Sequence, residues 1–268
     1  MLRTLQEVVD NLSGIDDIFF FKLAEDKEFC EELLQVILEN KNIKIVSHKP
    51  QSVIRNIKGR SVILDLECLD ENNTLFDVEI QKHDNDDHQR RVRYNMANLD
   101  TKESEKGIKF KELKDIFMIY ISDFDIFNSQ KTIYHIDRII RETGELADNG
   151  THEIYVNTKI DDGTEIAEYM QMLKQKEIPD NPKFPKLCKT IKGIKTGKGD
   201  GTMCDLVQEY AEEYAKEYAK EYADQEKMKL LADMFNKEII TSVVAGNQLG
   251  ITEEKFLEFV EEYNKTQA

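Results

Sequence analysis

The chain has 268 residues, 40% of them apolar, and a formal net charge of −16. This composition supports a folded core, and no apolar run approaches the ~20 residues of a membrane-spanning helix, so no membrane partner is expected. The negative charge argues against simple electrostatic binding to nucleic acid. The four scattered cysteines form no CxxC pair typical of a zinc site or disulfide framework, so a cytosolic protein with reduced thiols is expected.

The first part of the chain shows helical and strand patterns in turn. Residues 26–41 have the apolar spacing of a helix, and Asp26 is suited to cap its first turn. A polar, extended stretch follows. Further elements are then predicted in this order: a strand over 61–69, a turn over 70–74, a strand over 75–81, a helix over 86–100, and strands over 116–122, 131–137 and 152–157. This order predicts a mixed α/β, or α+β, domain.

After residue 158 the pattern becomes helical. A helix over 165–174 is followed by a segment in which lysine recurs every third residue among glycines, which indicates a flexible basic linker. Tyrosine then occupies every fourth position from Tyr210 to Tyr222, which predicts a long helix and a candidate homo-oligomer contact, and a short helical pair closes the chain. We predict three parts: a core over 1–180, a linker over 181–204 and an all-helical extension over 205–268.

The two strands around the turn place their acidic residues opposite one another. A five-residue turn pairs residues whose numbers sum to 144, so Asp65 faces Glu79 and Glu67 faces Asp77. The apolar side chains are expected on the other face of this hairpin: Leu64, Leu66, Val78 and Ile80. A two-residue turn would break this separation, so the apolar pattern favours the longer turn.

Four carboxylates on one face of a hairpin require compensation. Two of them ~5 Å apart repel by ~3 kcal/mol at an effective dielectric of ~20. A cation or a bound proton removes this repulsion, and Mg²⁺ prefers one or two carboxylates together with water and phosphate oxygens. The spacing is compatible with a metal site and equally with a hairpin face that simply meets water.

The segment GRSVILDLECLDENNTLFDVEIQKHDNDDHQRRVRYNMANLD resembles the PD-(D/E)XK nuclease family transposases, also called recombination-promoting nucleases. Those proteins carry a strand-borne Asp, a short turn, an E-x-Q motif and an arginine-rich helix. The corresponding residues here are Asp65, then Glu79, Ile80 and Gln81, then Arg90, Arg91 and Arg93 in RRVRY. The resemblance extends over about residues 14–210, through DIFMIYISDFDIF, IYHIDR, DNGTHEIYVN and GDGTMCDLVQEY.

The resemblance implies a restriction-endonuclease-like core, in which helices flank a mixed central sheet in the order α-β-β-β-α-β. It implies that Asp65, Glu79 and the carbonyl oxygen of Ile80 ligate Mg²⁺, with Mn²⁺ as an alternative. The implied catalytic residues are Asp65, Glu79 and Gln81. Gln81 stands where most of the superfamily has lysine, and an amide can orient and hydrogen-bond but carries no charge.

The arginines of the predicted arginine-rich helix have two possible roles. All three, Arg90, Arg91 and Arg93, could clamp DNA phosphates. Alternatively, one or two of them neutralise the acidic hairpin while Tyr94 packs in the core.

Two other groups are weaker metal candidates. Glu31 and Glu32 lie on the predicted helix over 26–41, where a solvated helix face is the simpler interpretation. His83 and His88 flank three aspartates in HDNDDH, but this stretch joins a strand to a helix, where aspartate commonly caps the first turn.

The resemblance implies a Mg²⁺-dependent DNA endonuclease that acts in recombination or transposition, in the bacterial cytosol or nucleoid. The alternative is a catalytically weak or inactive protein that keeps the nuclease fold and binds DNA or protein as an assembly module. The acidic net charge and the neutral Gln81 favour this alternative. A third hypothesis is a toxin or defence nuclease that acts on RNA or invading DNA.

Overall fold

A computed structural model describes residues 5–54, 62–104, 109–196, 227–237, 239–249 and eight further residues between 252 and 264. The chain forms two compact units, Met1–Val207 and Gln208–Ala268. The first unit contains all of the predicted site residues.

Within the described part of the first unit, the helices are α1 (Leu5–Asn11), α2 (Asp17–Ala24), α3 (Lys27–Ile37), α4 (His88–Glu103), α5 (Glu165–Lys174) and α6 (Pro185–Lys195), with a 3₁₀ turn at Phe110–Glu112. The strands are β1 (Ile45–Ile54), β2 (Val62–Asp70), β3 (Leu75–Gln81), β4 (Ile116–Ser122), β5 (Ile133–Ile136) and β6 (Thr151–Asn157). The predicted bounds of the strand over 116–122 and the helix over 165–174 coincide with β4 and α5. The predicted cap is also present, because Oδ1 of Asp26 accepts a hydrogen bond from the backbone N–H of Glu28 over 2.9 Å.

The six strands form one sheet in the order β1-β2-β3-β4-β6-β5. The pairs β1–β2, β2–β3 and β5–β6 are antiparallel, whereas β3–β4 and β4–β6 are parallel. The chain order α3-β1-β2-β3-α4-β4 is the α-β-β-β-α-β order that the sequence predicts. The prediction of a mixed central sheet flanked by helices is therefore confirmed.

Helices cover both faces of the sheet. On one face α2, α3, α5 and α6 contribute to a core that includes Phe19, Leu33 and Tyr169. On the other face α4 supplies Val92 and Met96 to a second, smaller core. β3 is an inner strand between these two layers, and its first six residues are buried. The acidic residues of β3 are therefore enclosed by the fold.

The prediction of a flexible linker over 181–204 is wrong in its middle part, where the chain forms α6. This helix has Pro185 in its first turn and buries Leu187 and Ile191 in the larger core. The lysines that suggested a linker are partly structural. Lys195 is buried, and its Nζ donates hydrogen bonds of 2.9, 2.8 and 2.6 Å to three backbone carbonyls.

The second unit is described in part. Residues 227–236 are helical, and the helix Ser242–Leu249 corresponds to the first of the two predicted short helices. Its small core consists of Leu231, Ala232, Ala245, Phe256 and Val260. The tyrosine-repeat helix predicted over Tyr210–Tyr222 lies outside the described residues, so the homo-oligomer contact and the all-helical extension over 205–268 as a whole stay predictions. No helix in the described ranges is long and apolar enough to cross a bilayer.

Candidate active site

The β2–β3 hairpin brings the predicted acidic residues together. Its ladder pairs Glu67 with Asp77, which confirms the register predicted from the five-residue turn over this part of the hairpin. On its other side β3 runs parallel to β4, with Glu79 beside Tyr120. The acidic residues of β3 therefore lie in the middle of the sheet and not at its edge.

Asp65 and Glu79 are held by hydrogen bonds that cross between the two strands. The backbone N–H of Ile80 donates to Oδ2 of Asp65 over 2.8 Å. The backbone N–H of Asp65 donates to Oε1 of Glu79 over 3.3 Å. Each carboxylate thus takes the place that a backbone carbonyl has in a regular ladder. Oδ1 of Asp65 and Oε2 of Glu79 take no part in these two bonds.

β2 changes face at Asp65. Leu64 packs in the smaller core with α4, whereas Leu66 packs in the larger core on the opposite face of the sheet. Residues two apart in a regular strand share a face, so the prediction that Leu64 and Leu66 lie together is wrong. The physical reason is that both strand-crossing hydrogen bonds at Asp65 have a side-chain carboxylate as acceptor, in place of a backbone carbonyl, which interrupts the regular alternation.

The acidic face is not solvated. Asp77 is 0% and Glu79 is 2% exposed, so the interpretation of a face that simply meets water is wrong for both residues. Burial raises the pKa of Glu79, and the charges of Asp77 and Asp65 raise it further. Burial also raises the pKa of Asp65 to about 6, although the N–H of Ile80 and the charge of Arg91 act in the opposite direction.

Asp77 is the most enclosed of these acids. Neither of its carboxylate oxygens has a hydrogen-bond partner among the described residues. Burial raises its pKa well above the usual range, and the charges of Asp65 and Glu67 add to this rise. Glu67, by contrast, accepts a hydrogen bond from Oγ of Ser52 over 2.9 Å and forms an ion pair with Lys102. An unpartnered buried carboxylate is costly unless positive charge approaches it.

Arg91 is the arginine of the predicted set that the structure brings to the carboxylates. Its Nη1 donates to Oε1 of Gln81 over 2.6 Å, and Nε2 of Gln81 donates to the backbone oxygen of His83 over 2.8 Å. Burial dominates the pKa of both Asp65 and Glu79, and the positive charge of Arg91 lowers both against that effect. Gln81 and Arg91 therefore belong to the same site as the two acids.

The other arginines of α4 lie farther out. Arg90 and Arg93 are exposed, and Arg90 lines a cavity of about 630 Å³ together with Asp87 and His88. Tyr94 is 37% exposed, so the expectation that it packs in the core is wrong, whereas the charge of Arg91 does act on the acidic hairpin as the same alternative predicts. Arg90 and Arg93 are thus surface cations beside the site.

Sequence reasoning missed a hydrogen-bonded chain behind Glu79. Nδ1 of His88 lies 2.9 Å from the hydroxyl of Tyr120, and Nε2 of His88 lies 2.8 Å from Oδ1 of Asp84. His88 is buried, so its ring serves this chain, whereas His83 is exposed. The signal for this chain in the sequence is the single tyrosine in the otherwise largely apolar strand IFMIYIS.

The sequence also does not predict that Asp17 lies close to Asp65. Asp17 is the first residue of α2, and its negative charge adds to the rise that burial causes in the pKa of Asp65. Burial raises the pKa of Asp17 as well, the charge of Asp16 adds to this, and the charge of Arg91 opposes it. The pattern DDIFFF suggests only a helix start, so its proximity to β2 is a property of the tertiary fold.

The two glutamates of α3 that were weaker metal candidates have structural roles. Glu31 forms an ion pair with Lys44 at 2.7 Å. Glu32 accepts hydrogen bonds from the backbone N–H groups of Lys186 and Leu187 over 3.0 and 2.8 Å, at the start of α6. Both carboxylates are therefore engaged away from Asp65 and Glu79.

The acidic residues fit a divalent cation held by few protein ligands. The described residues contain no group of three or more His, Cys, Asp or Glu side chains arranged to hold a metal. Mg²⁺ needs only one or two carboxylates, because water and substrate oxygens complete its shell. Asp65 and Glu79 supply two, and the oxygens of Asp77 beside them have no hydrogen-bond partner among the described residues.

The sheet, its flanking helices and the acidic β2–β3 hairpin together define a restriction-endonuclease-like fold. Residues 19–237 match the family model described as PD-(D/E)XK nuclease family transposase, and the chain belongs to this family. The predicted family is thereby confirmed, and with it a nuclease-like function in a class that generally uses divalent metal ions. No curated protein and no solved structure matched the chain.

Proposed function

We propose that this protein is a Mg²⁺-dependent endonuclease that hydrolyses phosphodiester bonds in DNA. The observation that carries the proposal is the pairing of Asp65 and Glu79, whose carboxylates bond to each other's strands and remain close despite their mutual repulsion. A fold selected for stability alone would place a neutral side chain at such a position. Membership of a nuclease family supports the same conclusion.

The proposed ligands are Asp65, Glu79 and the carbonyl oxygen of Ile80, with Mg²⁺ as the ion and Mn²⁺ as a substitute. Such an ion, when bound, would acidify water at the site and neutralise charge that develops on the phosphate. The contribution of the protein is to hold the two carboxylates in place through the backbone N–H groups of Ile80 and Asp65. Burial of Glu79 then strengthens its attraction to any cation that enters.

The reaction adds the oxygen of one water molecule to phosphorus and breaks the bond from phosphorus to one sugar oxygen. The attacking water gives up a proton to the solvent, and the departing sugar oxygen takes one from it. Gln81 is assigned to this site as a hydrogen-bonding residue, because its amide is fixed by Arg91 and by the backbone of His83. Arg90 and Arg93, exposed on α4, are assigned to DNA phosphates.

Nicking of supercoiled plasmid tests the proposal. Wild type, Asp65→Asn and Glu79→Gln are compared with Mg²⁺ and with Mn²⁺, and Glu71→Gln serves as the matched control at an exposed position of the β2–β3 turn. We expect metal-dependent nicking by wild type and by the control, and a loss of ~10²-fold or more in the two site variants. Equal nicking by wild type and Glu79→Gln, with both folded, would refute the proposed site.

A second candidate function is a DNA- or protein-binding assembly module with weak or no catalysis. The neutral amide at Gln81, where a lysine would carry charge, is the observation that favours it. This candidate predicts DNA binding that survives Asp65→Asn, together with no nicking by wild type. The role in recombination or transposition, the bacterial cytosolic location and a homo-oligomer through Tyr210–Tyr222 are proposals that accompany the endonuclease assignment.

A further inference from the structure

Gln81 is fixed at both ends of its amide. Its Oε1 accepts a hydrogen bond from Nη1 of Arg91 over 2.6 Å, and its Nε2 donates to the backbone oxygen of His83 over 2.8 Å. A lysine at this position could donate but could not accept the bond from a guanidinium. A glutamine at position 81 is therefore suited to accept a hydrogen bond from the guanidinium of Arg91 on α4.

That cation lies among the acidic groups of the site. Arg91 stands in the first turn of α4, directly after the loop that follows β3. Its charge acts on Asp65, Glu79 and Asp17, in each case against the effect of burial on the carboxyl pKa. The hydrogen bond to Gln81 uses one of the five N–H donors of the guanidinium, and the residue is exposed. Donors thus remain for a ligand that comes from solvent.

We propose that Arg91 is a catalytic residue, whose guanidinium contacts the phosphate under attack and stabilises its developing negative charge, and that Gln81 is the positioning residue that holds this guanidinium beside Asp65 and Glu79. This inference rests on the proposed endonuclease function. It gives Arg91 a role at the phosphate under attack, whereas Arg90 and Arg93 are assigned only to other phosphates of the DNA.

The chemistry suits a guanidinium. Attack by water places extra charge on the non-bridging phosphate oxygens, and the planar fork of arginine can donate two parallel hydrogen bonds to such oxygens. Arginine keeps its proton throughout, so it contributes charge and orientation and transfers no proton. Gln81 reduces the freedom of the Arg91 side chain before the DNA arrives, which is the condition for effective electrostatic stabilisation.

Single-turnover cleavage of plasmid with protein in excess tests this role. The variants are Arg91→Ala and the double variant Gln81→Lys with Arg91→Ala. Arg141→Ala is the matched control, since it removes the same charge from an exposed position outside the site. We expect Arg91→Ala to cleave ~10²–10³-fold more slowly than wild type. The double variant should recover at least ~10-fold over Arg91→Ala, because a lysine at position 81 returns a cation to the site.

A second readout separates this role from a structural one. Calorimetric titration with Mn²⁺ should show equal or tighter binding by Arg91→Ala, because the variant loses a positive charge near two carboxylates. Cleavage by Arg91→Ala at the rate of the Arg141→Ala control would overturn the inference. Loss of Mn²⁺ binding together with cleavage would also overturn it, since Arg91 would then only maintain the carboxylates. Absence of cleavage by wild type itself is a separate result that removes the proposed function and this inference together.

Discussion

Replacement of Asp65 by asparagine is expected to make the metal-free protein more stable at neutral pH. Burial places the pKa of Asp65 at about 6 in the folded protein, against 3.8 for an ordinary aspartate. Between these two values the folded protein keeps a proton that the unfolded chain has lost, so the free energy of unfolding falls as the pH rises. At ~1.4 kcal/mol for each pKa unit, the ionised carboxylate costs ~3 kcal/mol above pH ~6. Asparagine avoids this cost and keeps an oxygen for the N–H of Ile80.

Urea unfolding followed by circular dichroism, in the presence of a chelator, measures this effect. The gain in free energy of unfolding for Asp65→Asn should grow from nearly zero at pH ~4 to ~3 kcal/mol at pH ~7.5. Excess Mg²⁺ should reduce this difference in the free energy of unfolding, because a bound cation compensates the charge of the Asp65 carboxylate, which only the wild type has. Asp137→Asn is the control, since it makes the same change at an exposed position. A pH-independent difference, or a variant less stable than wild type at pH ~7.5, would refute the reasoning.

Three further outcomes are expected. Mg²⁺ at ~100 times its dissociation constant should stabilise wild type by ~2.7 kcal/mol in thermal unfolding. Equal stabilisation of Glu79→Gln by Mg²⁺ would contradict the assignment of Glu79 as a ligand of the ion. Glu32→Ala should lower the free energy of urea unfolding by ~1–2 kcal/mol, because the first N–H groups of α6 lose their acceptor; an unchanged midpoint would argue against that contact. Tyr120→Phe should cost ~1 kcal/mol through its lost bond to His88, and a more stable variant in the same assay would contradict the bond.

The hairpin shows what local sequence rules predict well. The alternation of apolar and acidic residues and the parity of the turn predict the pairing of Glu67 with Asp77, and the structure has it. The same rules fail at Leu64, because they assume that every strand residue bonds through its backbone. At Asp65 a side chain takes over that bond, and no periodicity in the sequence reveals this.

The remaining errors come from effects that act between distant parts of the chain. The spacing of the lysines and the glycines from Gly193 to Gly201 predict a linker where the structure has α6. A Cβ at Gly193 would meet no neighbouring atoms, so this glycine costs only local helix stability, and α6 forms because Leu187 and Ile191 are buried in the larger core. Asp17 joins the site only because α2 packs on the sheet. The burial of Asp77 depends in the same way on α4 and on the inner position of β3.

The length of the short loop between β3 and α4 determines where Arg91 lies relative to the carboxylates of the site. Six residues, 82–87, separate the end of β3 from the start of α4, and the bond from Arg91 to Gln81 spans this loop. One residue added to the loop would turn the first part of α4 by ~100° about its axis, or else push the whole helix along the sheet. Either change would carry the guanidinium away from the carboxylates while leaving every motif intact in the sequence. Among relatives, the length of this loop and the position of the arginine are therefore expected to change only together.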